Sequence, residues 1–416
     1  MKIYLETYGC TANKADASLM IGLLKSHHHD LISTMDDADT LVLLTCTVIG
    51  TTEQRMLSRL RVFSQTKKPV IVAGCMASVQ DDLLRSISPE VKLLPPQYSH
   101  HIVDIIEDKD VTFTKKKKTL FPKFFGDIVA PIAIAEGCNA LCSYCITHHA
   151  RGKLTSYPIE EIIQDIQCAL RQGCKEIQLT AQDTASYGLD KGINLGNLLS
   201  QICIIEKPFR IRVGMMNPYT AHKNLDSIVS AYVNQKIYKF LHLPVQSGDN
   251  DILKRMNRGY TVEDFIRIVK TFRKTYPNLV LSTDIIVGFP TETDEQFNNS
   301  IKLLQTVKPD IVNITRYSAR PLTMAKTMKG RIPTKVAKER SKQLTQLCTR
   351  LSEEINAAHV GRETTVLVTE SGKGNTVVAR AENYKPIILK KPVELGTFHK
   401  IEIIDAKATY LVGKLI

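Results

Sequence analysis

The stretch that decides the fold is Gly137-Cys138-Asn139-Ala140-Leu141-Cys142-Ser143-Tyr144-Cys145, which follows the apolar run Pro131–Ala135. The run reads as a buried strand, and the nine residues after it as a loop freed by Gly137. Three thiolates spaced three and then two residues apart suit three corners of a [4Fe–4S] cubane and leave one iron open. A structural zinc site is the plainer alternative, with His148 or His149 as its fourth ligand.

Downstream of this loop, strand and helix alternate. Six strands are expected: Pro131–Ala135, Glu176–Thr180, Phe209–Val213, Lys239–Leu243, Leu279–Val287 and Asp310–Arg316. Helices fall between them, such as Ile159–Gln172 and Val262–Thr275. This order predicts a parallel, incompletely closed (β/α)6 barrel. Upstream, the runs Lys2–Thr7, Leu41–Thr45 and Val70–Ala73 read as parallel strands, with helices over Asn13–Lys25 and Thr52–Gln65. Cys10, Cys46 and Cys75 follow those strands, and ligands gather at the carboxyl ends of strands in open α/β sheets. Singly each is an ordinary core cysteine; together they can converge on one point.

The chain is therefore α/β. An N-terminal α/β domain is expected over 1–110, a solvated linker with four lysines (Lys115–Lys118) over 111–127, and the barrel with a basic C-terminal helix, Thr334–Ala357, over 128–355. From 356 to 416 valine, isoleucine and threonine alternate with polar residues, as in a five-stranded, all-β small barrel suited to RNA. Thr315–Arg350 holds ten Lys or Arg and one Glu, which reads as a solvated basic face or as a stripe for phosphates.

Bulk composition narrows the class. The 416 residues carry a formal net charge of +13, which favours a polyanionic partner such as nucleic acid. No apolar run is long enough for a membrane span and the start shows no secretion signal, so a cytoplasmic protein with no membrane partner is expected. Ten cysteines in that compartment are core residues, metal ligands or redox groups rather than a disulfide framework. Cys168, Cys174, Cys203 and Cys348 show no ligand spacing and read as core or surface residues on helices or helix ends.

The CxxxCxxC word resembles the signature of the radical S-adenosylmethionine superfamily. Tyr8–Asp16 (YGCTANKAD), Leu43–Met56 (LLTCTVIGTTEQRM) and Val72–Ala77 (VAGCMA) resemble the N-terminal domain of its methylthiotransferase family. The resemblance runs over nearly the whole chain and ends in a TRAM-like barrel. It implies two [4Fe–4S] clusters, one held by Cys138, Cys142 and Cys145 with S-adenosylmethionine on its open iron, and an auxiliary one held by Cys10, Cys46 and Cys75. It also implies cofactor contacts on three strand ends: Gln182 and Asp183 in Leu179–Gly188, Gln246 and Ser247 in Leu241–Gly248 beside His242, and Asp284 and Gly288 in Ser282–Glu292. Ala150-Arg151-Gly152 resembles the family too, whereas Tyr157 stands where the family often has Arg.

The cysteine words look most like the archaeal and eukaryotic branch that acts on threonylcarbamoyladenosine in tRNA. That implies a tRNA partner, an electron-donor protein and a sulfur donor, with methylthio transfer to C2 of the adenine at position 37. A carboxylate on the substrate calls for a cation, and Arg316 and Arg320 are the candidates, phosphate contact being the plainer reading of both. The alternatives are isopentenyladenosine in tRNA, a ribosomal-protein aspartate, or, in another class, a non-catalytic iron–sulfur RNA-binding protein.

Overall fold

The computed structural model describes residues 1–47 and 50–416; Val48 and Ile49, within the second cysteine word, lie outside the described residues. The N-terminal region is a parallel sheet of β1 (Lys2–Thr7), β2 (Asp30–Ile32), β3 (Thr40–Thr45), β4 (Val70–Gly74) and β5 (Lys92–Leu94) in the order β2-β1-β3-β4-β5. β3 and β4 are buried along their whole length, which is why they read as unbroken apolar runs. The two edge strands went unread because three residues are too few for a periodic signal. Apolar clusters cover both faces, one around Leu19, Met20 and Leu24 of α1 (Thr11–Ser26), the other around Leu57, Leu60 and Phe63 of α2 (Gly50–Ser64).

The expected solvated linker is only partly so. Lys115–Lys117 are exposed, but Lys118 is 4% exposed and its ammonium sits 2.6 Å from both Asp16 and Glu136. Lys123 pairs with Asp165 at 2.7 Å, and Phe125 is buried. The segment is a packed strap between two domains, because its cations meet buried carboxylates from both sides.

Six parallel strands follow: β6 (Val129–Ala133), β7 (Glu176–Thr180), β8 (Arg210–Val213), β9 (Phe240–His242), β10 (Val280–Val287) and β11 (Ile311–Arg316). They form two three-stranded sheets, joined where Ile211 bridges Ile237 and the Met216 amide donates to the His242 carbonyl at 2.9 Å. No ladder joins β6 to β11 among the described residues, so the barrel stays open there. Helix starts are written locally: Thr261 and Asp264 form a capping box for Val262–Thr275, and Thr293 and Gln296 one for Asp294–Val307.

The basic helix, Thr334–Ala357, packs along β11. Lys335, Lys338 and Lys342 are exposed, but Arg340 is buried, with Glu292 and Asp294 each at 2.7 Å. Arg340 therefore belongs neither to a solvated face nor to a phosphate stripe. The chain ends in a closed five-stranded barrel spanning Glu363–Leu415. Among the described residues no helix is long and apolar enough to cross a membrane.

Candidate active site

The CxxxCxxC loop is pinned from several directions. Gly137 has φ +76°, and a Cβ there would collide with the Lys153 carbonyl, so the turn requires glycine. The Ser143 amide donates to the Met256 carbonyl at 3.0 Å, and Asn257 Nδ2 to the Leu141 carbonyl at 2.8 Å. Each of the three sulfurs faces one N–H donor. Cys138 receives the Ala140 amide at 3.4 Å, Cys145 the Thr147 amide at 3.4 Å and Cys142 the Arg258 guanidinium at 3.1 Å. Arg258 is buried and also donates to Tyr260 at 3.0 Å. One donor at each sulfur favours a thiolate ligand, against burial, which pushes the Cys138 and Cys145 thiols up.

The zinc alternative fares worse. His148 Nδ1 lies 2.6 Å from the Cys138 carbonyl, which leaves only its Nε2 for a metal. Among the described residues, no three His, Cys, Asp or Glu side chains close on a point that suits a single ion. A cubane spreads its ligands across a cluster, whereas thiolates on one zinc must all lie about 2.3 Å from it.

The N-terminal cysteines follow three neighbouring strands, β1, β3 and β4. Cys10 caps the start of α1, Cys46 follows β3 directly, and Cys75 opens the helix Cys75–Val79 after β4. Asn13 Nδ2 donates to the Tyr8 carbonyl at 2.7 Å and the Thr45 carbonyl at 2.8 Å, tying the first two loops. A Cβ on Gly9 would stand 2.6 Å from that of Cys46. Burial pushes the Cys75 thiol up, only partly offset by the positive charge of Arg151. Cys168 and Cys348 lie on helices, Cys203 ends one, and Cys174 is buried just before β7, donating to the Asp127 carbonyl at 3.2 Å.

A cavity of about 380 Å³ opens beside Cys145 at the carboxyl ends of β9, β10 and β11. His242 Nε2 lies 3.0 Å from Asp284 Oδ1, which also accepts from Asn313 Nδ2 at 2.8 Å. Gln246 lines the same wall with φ +71°, its backbone pairing with Asp284 and Ile286. Gln182 Oε1 is buried with no partner among the described residues. Arg316 lines this cavity and two neighbours, of about 840 and 550 Å³, the latter bordered by Lys335, Lys338 and Lys342. Its guanidinium takes no ion pair or hydrogen bond among the described residues.

Four residues expected as contacts have other partners or neighbours in the fold. Asp183 is buried and already accepts from the amides of Ala185 and Asn217 and from Thr220 Oγ1 at 2.7 Å, which makes it an anchor for the loop after β7. Ser247 is buried, its Oγ accepting the Asp249 amide at 3.2 Å. At Gly288 the close neighbour is the basic helix, since a Cβ there would stand 2.8 Å from that of Ala337. Arg320 borders the cavity but is spent on Glu53 at 2.7 Å and Ser318 at 2.8 Å, and its burial removes it from phosphate. The roles of Arg258 and Asn13 went unread; for Arg258 the only local hint was the turn word Asn257-Arg258-Gly259, and Asn13 opened an expected helix.

Comparison with known proteins agrees with this geometry. Residues 132–304 match the Radical SAM superfamily, 2–95 the Uncharacterized protein family UPF0004 and 357–416 the TRAM domain. The chain is 43% identical to a probable threonylcarbamoyladenosine tRNA methylthiotransferase of Pyrococcus abyssi over the full length of both. It is 31% identical to the human threonylcarbamoyladenosine tRNA methylthiotransferase, over 99% of this chain and 74% of that one. In fold it resembles a radical S-adenosylmethionine methyltransferase, TsrM, of Kitasatospora setae, solved with cobalamin and a [4Fe-4S] cluster bound. The TM-score there is 0.56 at 12% identity, over 78% of this chain and 74% of that one.

Proposed function

The chain belongs to the threonylcarbamoyladenosine tRNA methylthiotransferase family, and from that premise we propose that it adds a methylthio group to C2 of N6-threonylcarbamoyladenosine at position 37 of tRNA. The observation that carries the substrate reading is the cavity beside Cys145, where an unpaired guanidinium, Arg316, faces the same space as the His242–Asp284 pair.

Cys138, Cys142 and Cys145 hold one [4Fe–4S] cluster in this reading, and Cys10, Cys46 and Cys75 the other. Bound at the first, S-adenosylmethionine supplies hydrogen abstraction from an unactivated C–H bond, which acid–base side chains cannot perform. The protein's own part is binding and orientation. Gln182 Oε1 offers an acceptor to the cofactor's ammonium group. Asp284, held by Asn313, fixes the His242 ring against the cavity wall. Arg316 pairs with the substrate carboxylate, which would be costly to bury alone. Lys335, Lys338 and Lys342 line the approach with charge for the tRNA backbone. In this reading the reaction draws on a reductant protein and a sulfur donor, and a tRNA substrate favours the cytoplasm.

An isopentenyl group would leave Arg316 unmatched, and no observation favours a protein aspartate or a non-catalytic role. The test supplies tRNAs bearing either modification to anaerobically reconstituted enzyme and measures methylthio nucleosides by mass spectrometry. Product is expected from the threonylcarbamoyl tRNA; equal turnover of the isopentenyl tRNA would refute the substrate assignment.

A further inference from the structure

The two cysteine triplets are joined by one buried side chain. Arg151 ends the short helix Thr147–Arg151, six residues after Cys145, and is 4% exposed. Its Nη2 donates to Asn13 Oδ1 at 2.7 Å and Asp16 Oδ2 at 2.8 Å, and its Nη1 lies 3.3 Å from Glu136 Oε1. Asn13 in turn holds the carbonyls of Tyr8 and Thr45, in the loops that carry Cys10 and Cys46. The strap joins in through Lys118, 2.6 Å from both Asp16 and Glu136. Two cations and two carboxylates thus balance at this boundary, with Lys118, Arg151 and Asp16 buried and Glu136 15% exposed. An unbalanced buried charge there would be strongly unfavourable, so the set specifies one docking of the domains.

We propose that Arg151 is the positioning residue of the reaction: it holds the N-terminal cysteine set in fixed register with the CxxxCxxC loop, clamping Asn13 and Asp16 from the far side of the domain boundary. Both triplets must serve one substrate carbon, so sulfur delivery depends on that register while cofactor cleavage does not. This rests on the two-cluster reading above. Local charge also sets a cluster's reduction potential, so the buried Arg151 cation, bonded to the Asn13 that ties the Cys10 and Cys46 loops, raises that of the N-terminal cluster.

The test uses the full chain, reconstituted anaerobically, as wild type, Arg151→Gln, Arg151→Lys and Asn13→Ala. The same changes are made on a Cys138→Ala/Cys142→Ala background, where only the N-terminal set binds iron. On that background Arg151→Gln is expected to alter the electron paramagnetic resonance spectrum of the reduced cluster and shift its midpoint potential downward, with partial recovery in Arg151→Lys. With both clusters present, methylthio product per 5′-deoxyadenosine should fall roughly 10–100-fold, the usual effect of losing an outer-shell partner. Unchanged spectrum, potential and product ratio in Arg151→Gln would overturn the proposal. If that variant is insoluble, Asn13→Ala decides by the same product ratio, an unchanged value again overturning it. Wild type holding about four irons rather than about eight would instead sink the two-cluster reading itself.

Discussion

The Tyr384 hydroxyl donates to Glu176 Oε1 at 3.2 Å, joining the C-terminal barrel to the floor of the six-stranded one. Glu176 opens β7 and is 1% exposed; its other oxygen accepts from Tyr238 at 3.2 Å. Gln178 donates to the Tyr384 oxygen at 3.1 Å, and the Arg212 and Arg380 guanidiniums lie 5.3 and 4.8 Å from the centre of the Tyr384 ring. A turn of the RNA-binding type of domain thus plugs the amino-terminal mouth of the barrel, opposite the candidate active site.

This plug gives the C-terminal domain a structural role beside the RNA contact expected of it. Tyr384→Ala should destabilise the protein by about 3 kcal/mol, as large-to-small changes in cores do. Tyr384→Phe should cost about 1 kcal/mol, one hydrogen bond. Deleting Glu363–Ile416 should lower the melting temperature as well as tRNA affinity, since it bares Tyr238, Phe240 and Val280. Chemical denaturation checks the point variants, and an unchanged melting temperature in the truncated protein would make the plug incidental.

Reconstituted wild type should hold about eight irons, and Cys138→Ala/Cys142→Ala about four. Replacing Cys10, Cys46 or Cys75 by Ala should abolish methylthio product while S-adenosylmethionine cleavage persists. Iron analysis and 5′-deoxyadenosine assays measure both, and unchanged iron in the double variant would remove the assignment.

Arg316 and Arg320 should separate cleanly. Arg316→Gln is expected to lower kcat/KM for the threonylcarbamoyl tRNA by roughly 10–100-fold, for the loss of about 1.5–3 kcal/mol of charged hydrogen bonding, with little effect on melting. Arg320→Gln leaves Glu53 buried without its cation, 2.7 Å away in the native protein, and should cost about 3–5 kcal/mol of stability. The reverse pattern would exchange their roles.

Acid should weaken the fold through histidines. Burial lowers His100 to about 4, helped by His101 and Lys116, and lowers His359 to about 4, helped by Lys385. A folded-state value below the unfolded one of about 6.5 means that the unfolded chain binds the extra proton. Stability is thus complete above about pH 6.5 and declines as pH falls toward 4. His100→Phe, which keeps the stack on Phe121, should show a smaller loss of melting temperature between pH 7.5 and 5. An equal loss would clear His100 of the effect.

The helices were legible where the physics is local. Val262–Thr275 and Thr334–Ala357 form over the expected residues, because apolar spacing specifies them within the segment itself. The cysteine sets were legible because short spacing after a strand leaves thiols few places to go. His242, Asp284 and Gln246 share a cavity for the same reason, parallel strands delivering their carboxyl ends to one face.

What the sequence by itself determined is therefore the element order, the two cysteine sets and the end of the barrel that carries chemistry. The tertiary structure alone decided which charges are spent. Arg320 meets Glu53 across 267 residues, Arg151 meets Asp16 across 135 and Lys118 meets Asp16 across 102. A lysine in a basic run and a lysine in a buried pair are the same letter. Periodicity is encoded within a dozen residues, whereas burial of a charge depends on a partner that only the folded chain brings near.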